Sequence, residues 1–232
     1  MIICGGPHGE DLLRRGMPED AVSSNLAKYQ TRNPVARLLI SRFFARLRST
    51  VEPLAPGSVL DAGCGEGEAL ARLEDILPAR VAGVDIDSAS VRTAARRVPS
   101  AETSQGSVYE LDFPDDSFDL VLCLEVLEHL ERPADALGEL ARVARRNVIV
   151  SVPHEPYFRA GSLLRGKHLR SFGNHPEHIN HWNRESLRAL VAPWLKGCEV
   201  RTAFPWLLVR GQPSAATSVV GLADLDRAPP RD

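Results

Sequence analysis

The stretch VLDAGCGEGEAL, residues 59–70, carries an apolar run into an acid and then places a glycine at every second position. These glycines, Gly63, Gly65 and Gly67, let the backbone turn sharply and approach a ligand without a Cβ in the way. An apolar strand, a glycine-rich turn and a helical segment begin a βαβ unit, whose ligand binds beyond the carboxyl end of the strand. The stretch therefore predicts an α/β fold with a ligand site at this turn.

Segments typical of strands and helices alternate after this stretch. The apolar segments RVAGVDID, SFDLVLCLEV and NVIVSVP are separated by the helical patterns SASVRTAARRV and ADALGELARVAR. The apolar segments lack strict alternation with polar residues, which is typical of parallel strands covered by helices on both faces. We therefore predict a doubly wound, mostly parallel sheet flanked by helices, with Ser88 as the N-cap of the helix after RVAGVDID.

Three regions are distinguished along the chain. Residues 1–50 comprise a Gly-rich, charged arm and an amphipathic cap helix from Pro34. Residues 51–212 carry the alternating segments, interrupted at 154–181 by an irregular insertion with histidines, arginines and aromatic residues. Residues 213–232 have the composition of a flexible tail.

Composition argues against several classes of protein. The 28 basic residues nearly balance the 30 acidic ones, so overall charge gives no basis for nucleic-acid binding. The four cysteines are widely separated, which argues against a disulfide framework and a thiolate zinc site. No apolar run approaches the roughly 20 residues of a membrane span, and the N-terminus lacks the pattern of a signal peptide. We therefore expect a cytoplasmic protein without a membrane span.

Acids around the glycine loop indicate the kind of ligand that binds there. Glu68 stands where a dinucleotide fingerprint has its third glycine, and Glu66 and Glu68 would repel a pyrophosphate. No Gly-Lys-Ser/Thr follows, which excludes a Walker loop. Asp85 ends the next strand about 20 residues later, where an acid can hold two ribose hydroxyls. The pattern favours an adenosine ligand that has no phosphate and carries a positive centre, which fits the acids Asp61, Glu66 and Glu68 better.

The segments VLDAGCGEG, VAGVDID and DFPDDSFDLVLCLEVLEHL, in this order, resemble the successive motifs of class I S-adenosylmethionine-dependent methyltransferases. The resemblance covers about residues 55–155. It implies a Rossmann-like fold with a seven-stranded sheet, a methyltransferase activity of class 2.1.1 and S-adenosylmethionine as the cofactor. The cofactor-binding residues that it implies are Tyr29, Asp61, Gly63, Cys64, Gly65, Gly67, Asp85, Ile86, Ser107, Val108 and Leu124.

The family also assigns roles to these positions. Its glycine loop packs against the methionine part of the cofactor, and the acid matching Asp85 binds the ribose. Residues matching 106–108 lie near the adenine, where Ser107 stands in place of an Asp that many members have. The strand end at 122–125 matches the methyl-transfer site. The segment KYQTRNP resembles the family's N-terminal cap, which would place Tyr29 over the cofactor.

The segment CLEVLEHL supplies the candidate catalytic residues. If a helix begins near Glu125, then Glu125, Glu128 and His129 share one helical face. Two functional interpretations stay open beside a purely structural one. In the first, His129 is a general base oriented by a carboxylate such as Glu125, with His154 as a second candidate base. In the second, a divalent metal such as magnesium is held by Glu125, Glu128, His129 and a later histidine, either His178 or His181.

The metal arrangement resembles that of small-RNA 2′-O-methyltransferases, and similar Glu-x-x-Glu-His sequences occur in ubiquinone-pathway O-methyltransferases. We expect a methyltransferase that acts on a small-molecule acceptor at oxygen. The insertion favours an anionic acceptor because it is locally basic, through Arg159, Arg165, Lys167 and Arg170. The alternatives are a metal-assisted RNA 2′-O-methyltransferase, disfavoured by the near-neutral charge, and a non-catalytic methyltransferase-like binding subunit. An oxidoreductase is disfavoured by Glu68.

Overall fold

The computed structural model describes residues 31–154 and 179–214. The strands are β1 Ser58–Ala62, β2 Arg80–Asp85, β3 Glu102–Gln105, β4 Phe118–Leu124, β5 Ala144–Pro153, β6 Leu195–Ala203 and β7 Trp206–Pro213. The α-helices among the described residues are α1 Pro34–Val51, α2 Glu68–Leu73, α3 Ser88–Arg97, α4 Pro133–Val143 and α5 Arg184–Val191. Short 3₁₀ turns lie at Glu52–Leu54, Glu74–Ile76 and Leu127–His129.

The strands form one seven-stranded sheet in the order β3-β2-β1-β4-β5-β7-β6. The pairs from β3 to β5 are parallel, whereas β7 runs antiparallel to both β5 and β6. The predicted doubly wound, mostly parallel sheet is therefore confirmed. Because β1 lies between β2 and β4, the strand order reverses at β1 and β4, and their carboxyl ends form the crevice where such sheets bind ligands.

Apolar side chains cover both faces of this sheet. Along β4, Leu120 and Leu122 pack in the same cluster as α1, whereas Val121 and Cys123 pack with α4 and α5. Every residue of β1 is buried. Burial on both faces explains why the strand segments lack polar alternation.

The helix after β2 begins with a different cap from the one predicted. Its N-cap is Asp87, whose carboxylate accepts hydrogen bonds from the backbone N–H groups of Ala89 and Ser90 at 3.2 and 3.0 Å. Ser88 is the first residue of α3 rather than its N-cap. The two carboxylate oxygens of Asp87 satisfy two backbone donors that have no partner within the helix.

The segment after β4 is not the predicted α-helix. Only Leu127–His129 forms a single 3₁₀ turn, and Glu125 adopts the left-handed region with φ of +59°. A residue in that region cannot begin a right-handed helix, so the predicted face shared by Glu125, Glu128 and His129 does not form.

Parts of the three predicted regions lie outside the described residues. Of the N-terminal region the structure describes α1, and of the predicted tail it describes only 213–214. Pro213 is the last residue of β7. Within residues 31–154 and 179–214, no helix combines the length and the apolar character needed to cross a membrane.

Candidate active site

A cavity of about 400 Å³ opens at the carboxyl ends of β1, β2 and β4. Its walls come from the glycine loop, the strand ends, the segment after β3, and α1. The predicted site residues that line it are Asp61, Gly63, Cys64, Gly65, Asp85, Ile86, Ser107, Val108, Leu124, Glu125 and His129. Gly67, Glu128 and His154 are not among the lining residues, and Tyr29 and His178 lie outside the described part of the chain.

The glycine loop is fixed to the end of β2 by its own backbone. The N–H groups of Gly63 and Cys64 both donate to the carbonyl of Val84, at 2.7 and 3.0 Å. Gly63 has φ of +83°, and a Cβ there would lie 2.3 Å from Val126 Cγ2. At Gly65, with φ of +51°, a Cβ would meet no described atom within 4 Å. Gly63 therefore permits close packing, whereas Gly65 keeps open the space into which a ligand can approach.

Gly67 and Cys64 act in packing. A Cβ at Gly67, where φ is +75°, would lie 3.2 Å from the Cβ of Ala94 on α3. Cys64 lies against Gly83, since a Cβ there would come within 3.0 Å of Cys64 Sγ. Burial, with smaller contributions from nearby acids, raises the pKa of the Cys64 thiol above its usual range. A protonated thiol is a poor nucleophile, and we assign Cys64 no catalytic part.

Asp85 orders the loop and faces the same cavity. Its Oδ2 accepts a hydrogen bond from Gly65 N at 2.8 Å, and its Oδ1 accepts one from Asp87 N at 2.9 Å. Each carboxylate oxygen has further lone-pair capacity, so the pair can still accept hydrogen bonds from the two hydroxyls of a ribose. Ile86, which is 73% exposed, lies next to it on the cavity wall.

The segment after β3 forms the wall at the far side of Asp85. Ser107 Oγ accepts a hydrogen bond from Tyr109 N at 3.2 Å, which fixes the turn. The Tyr109 hydroxyl accepts from Arg132 N at 3.2 Å, and the Arg132 guanidinium lies 5.1 Å from the centre of the Tyr109 ring. Ser107, Val108 and Tyr109 thus make a wall of mixed polarity, and Arg132 supports Tyr109 without lining the cavity.

Asp61, at the end of β1, is a buried acid on the cavity wall. It is 2% exposed, and its Oδ1 makes no hydrogen bond with any described residue. Burial, and then the charge of Asp85, raises the pKa of Asp61 to about 7. A buried carboxylate without a partner is unfavourable unless a cation or donor meets it. The methionine ammonium of S-adenosylmethionine would supply such a group, so the residues present fit this cofactor.

Glu125 occupies the strand end in a conformation that the sequence does not reveal. Its Oε1 accepts a hydrogen bond from Ser151 Oγ at 3.1 Å, and its Oε2 accepts one from Trp206 Nε1 at 2.6 Å. Trp206 in turn packs against Phe43 of α1, with ring centres 5.2 Å apart. A non-glycine residue at positive φ costs about 1 kcal/mol or more and is held there by its surroundings. The neighbouring strands β5 and β7 provide that support.

Glu128 and His129 point in different directions. Glu128 is 1% exposed and lies in the core, where burial, Asp61 and Glu128 together raise the pKa of Cys123. His129 is exposed and lines the cavity. Among the described residues, no group of three or more His, Cys, Asp and Glu side chains could hold a metal ion. These residues, with His181 included, therefore do not fit the predicted magnesium site. The other candidate for its fourth ligand, His178, lies outside the described ranges.

The second candidate base, His154, follows directly after β5. Its backbone N–H donates a hydrogen bond to the carbonyl of Pro205 at 2.9 Å, and its backbone also forms an isolated β-bridge with Trp182. Burial, and then the positive charge of Arg184, lowers the pKa of His154, which favours the neutral imidazole. Because His154 does not line the cavity, His129 is the better placed of the two.

Other lining residues were not predicted as site residues. Phe43 and Phe44 come from α1, with ring centres 5.1 Å apart, and Tyr109 comes from the segment after β3. The helical periodicity of α1 predicts an apolar face but not which part of the sheet it meets. Glu66 and Glu68 also line the cavity, in agreement with the expectation that acids surround the ligand.

Residues 60–152 match the family described as methyltransferase domain. A probable S-adenosylmethionine-dependent methyltransferase of Mycobacterium tuberculosis is 34% identical over 155 residues, covering 64% of this chain and 53% of the relative. The ubiquinone biosynthesis O-methyltransferase of Thiobacillus denitrificans is 36% identical over 109 residues, covering 43% of this chain and 46% of the relative. The chain spans about half the length of the curated relatives that it matches.

The fold is also similar to that of solved methyltransferases. The magnesium protoporphyrin IX methyltransferase of Synechocystis superposes with a TM-score of 0.62 at 17% identity, covering 83% of this chain and 95% of that one. This likeness supports the architecture of the sheet and its helices. The family match and the motifs at the carboxyl edge of the sheet together identify residues 60–152 as an S-adenosylmethionine-dependent methyltransferase domain.

Proposed function

We propose that this chain transfers the methyl group of S-adenosylmethionine to an oxygen atom of a small-molecule acceptor. The observation that carries the proposal is the cavity at the strand ends, where Asp85 faces the open space next to Gly65. On the same wall, the buried Asp61 has a carboxylate oxygen that a cationic group of a ligand would stabilise. Two similar proteins support transfer to oxygen: a ubiquinone biosynthesis O-methyltransferase and a 27-O-demethylrifamycin SV methyltransferase.

The residues of the chain bind and orient the cofactor in this proposal. Asp85, fixed by Gly65 N and Asp87 N, accepts hydrogen bonds from the ribose hydroxyls. Asp61 pairs with the methionine ammonium, and the wall from Ser107 to Tyr109 contacts the adenine. The cofactor supplies a methyl group that is already activated by its positive sulfur. The protein therefore contributes mainly alignment of the two reactants and exclusion of water.

Removal of the acceptor's proton is assigned to His129. It lines the same cavity as Glu125, so an acceptor bound in this cavity can reach its imidazole. Glu125 is anchored by Ser151 and Trp206 and orients the acceptor hydroxyl by accepting a hydrogen bond. A general base is needed because a hydroxyl loses its proton as the new oxygen–carbon bond forms.

The charge of the acceptor is a finer part of the same proposal. The basic residues of the 154–181 insertion favour an anionic acceptor, whereas the described cavity is lined by acids. We expect an anionic group of the acceptor to bind away from Asp61 and Glu66, because like charges repel.

A transfer assay with radiolabelled methyl groups tests this function. The purified chain is incubated with labelled S-adenosylmethionine and, separately, with cell metabolite extracts and with RNA fractions. We expect the labelled methyl group in a small organic-soluble or polar product, bound to oxygen in an ether or ester. The variant His129→Ala should transfer less label than the wild-type chain. Label confined to small RNA would favour the alternative RNA 2′-O-methyltransferase, and binding of the cofactor without transfer to any fraction would favour a non-catalytic binding subunit.

A further inference from the structure

Five carboxylates line the cavity, and the described lining residues include no Lys or Arg. The five are Asp61, Glu66, Glu68, Asp85 and Glu125. A cavity with this composition has a negative potential, which low-dielectric walls strengthen. Such a cavity distinguishes between ligands of similar shape that differ in charge.

Three of these carboxylates are matched by donors or cations from the protein itself. Glu68, at the start of α2, pairs with Arg72 at 2.5 Å and also contacts Arg97. Asp85 accepts two backbone N–H groups, and Glu125 accepts from Ser151 and Trp206. The remaining two, Asp61 and Glu66, carry the charge that is least compensated.

Glu66 is held on the cavity wall by the loop itself. It lies between Gly65 and Gly67, which both have positive φ, and it is 6% exposed. Its Oε1 is buried and makes no hydrogen bond with a described residue. Burial has the largest effect and raises the pKa of Glu66, and a backbone hydrogen bond opposes it. The charges of Asp85 and Asp87 raise this pKa further, against a smaller opposing effect of Arg97. A cation inside the cavity would therefore stabilise the ionised side chain.

The methyl donor and its product differ by one charge. When the methyl group passes to the acceptor, the carbon–sulfur bond breaks and its electron pair stays on sulfur. The positive sulfonium thus becomes a neutral thioether, the acceptor oxygen gains a bond to carbon, and its proton passes to the base. The remainder of the two molecules is the same, so their affinities differ mainly through this charge.

We propose that Glu66 is a specificity residue that makes the cavity bind the cationic methyl donor more tightly than the neutral demethylated product. This inference rests on the proposed function. Its consequence is that product leaves more readily after each transfer, because the interaction with Glu66 is lost when the sulfur becomes neutral.

Calorimetric titration with three related ligands tests the role of Glu66. The ligands are S-adenosylmethionine, S-adenosylhomocysteine, and sinefungin, in which a protonated amine replaces the methyl-sulfonium group. For the wild-type chain at pH 8 we expect both cationic ligands to bind on the order of tenfold more tightly than the neutral one. In Glu66→Gln, which keeps the shape and removes the charge, we expect this ratio to fall to about one to three.

The control is Glu102→Gln, which removes the same charge from an exposed residue of β3, and it should keep the wild-type ratio. Thermal unfolding of each variant verifies that it is folded, and Glu66→Asp, which retains the charge, should keep a preference for the cationic ligands. An unchanged ratio in a folded Glu66→Gln that binds all three ligands would overturn this inference and leave the proposed function intact. If the wild-type chain bound none of the ligands, the proposed function would fail and this inference with it.

Discussion

At the scale of one residue, the buried carboxylate of Asp61 lowers the free energy of unfolding of the ligand-free protein. In an unfolded chain this carboxyl ionises near its ordinary pKa of 3.8, whereas burial raises the pKa of Asp61 in the folded protein to about 7. Between these values the folded state binds one more proton than the unfolded state. The contribution of Asp61 to the free energy of unfolding therefore falls as pH rises from about 4 to about 7, and levels off above that.

We expect Asp61→Asn to stabilise the ligand-free protein at high pH. Asn resembles the protonated acid, so wild type and variant should respond alike at pH 5, where Asp61 holds its proton. At pH 8 the variant avoids a buried charge that the wild type carries. The difference in free energy of unfolding, variant minus wild type, should therefore be about 2 kcal/mol larger at pH 8 than at pH 5. Urea unfolding at both pH values measures this difference, and a pH-independent difference would contradict the assignment of the buried charge to Asp61.

The bond between Trp206 and Glu125 supports a second prediction at the residue scale. Trp206→Phe keeps an aromatic ring against Phe43 but removes the N–H that lies 2.6 Å from Glu125 Oε2. We expect methyl transfer to fall about tenfold, since a hydrogen bond to a charged group contributes about 1.5–3 kcal/mol. Affinity for S-adenosylhomocysteine should change less than about twofold, because the proposed function has Glu125 act on the acceptor and not on the cofactor.

Steady-state rates with an acceptor found by the transfer assay, together with calorimetry, separate these effects. Trp194→Phe is the matched control, because Trp194 packs against Gly138 of α4 and does not line the cavity. Equal losses of transfer and of cofactor affinity in Trp206→Phe would show that Trp206 supports the whole site and not Glu125 in particular.

At the scale of an element, two glycines of the same loop have different tasks. Gly63→Ala would place a Cβ 2.3 Å from Val126 at positive φ, so we expect a loss of about 2–4 kcal/mol in the free energy of unfolding. Gly65→Ala should cost only about 1 kcal/mol, since a Cβ there meets no described atom within 4 Å. Its Cβ would instead occupy space next to Asp85 and weaken cofactor binding.

Thermal unfolding and calorimetry of the two loop variants distinguish these tasks. Gly63→Ala should appear mainly in the melting temperature, and Gly65→Ala mainly in the affinity for S-adenosylhomocysteine. Similar losses of stability in both variants would show that Gly65 is a packing glycine like Gly63.

The segment 125–130 shows which elements a sequence pattern predicts poorly. EVLEHL has the spacing of an amphipathic helix, yet Glu125 turns left-handed and only one 3₁₀ turn follows. The donors that hold Glu125 lie 26 and 81 residues further along the chain, on β5 and β7. Long-range contacts of this kind leave no local periodicity, so the pattern predicts a helix that the structure does not contain.

At the scale of the whole molecule, local patterns predicted more of the fold than of the site. The strands β1, β2, β4 and β5 follow from apolar runs that are buried on both faces. The antiparallel position of β7 between β5 and β6 depends on long-range pairing that no local pattern contains. The place of Asp85 on the cavity wall follows from its local spacing to the glycine loop. Phe43 and Phe44 reach the cavity only through the long-range packing of α1, which no local pattern predicts.

The central claim is that S-adenosylmethionine binds in the cavity at the ends of β1, β2 and β4 through Asp85. Calorimetric titration of the whole chain with S-adenosylmethionine tests it, with Asp85→Ala as the variant and exposed Asp112→Ala as the control. We predict one binding event per chain for wild type and control, and a loss of affinity of at least about 100-fold in Asp85→Ala. Absence of binding by the wild-type chain, or an unchanged affinity in a folded Asp85→Ala, would contradict the account.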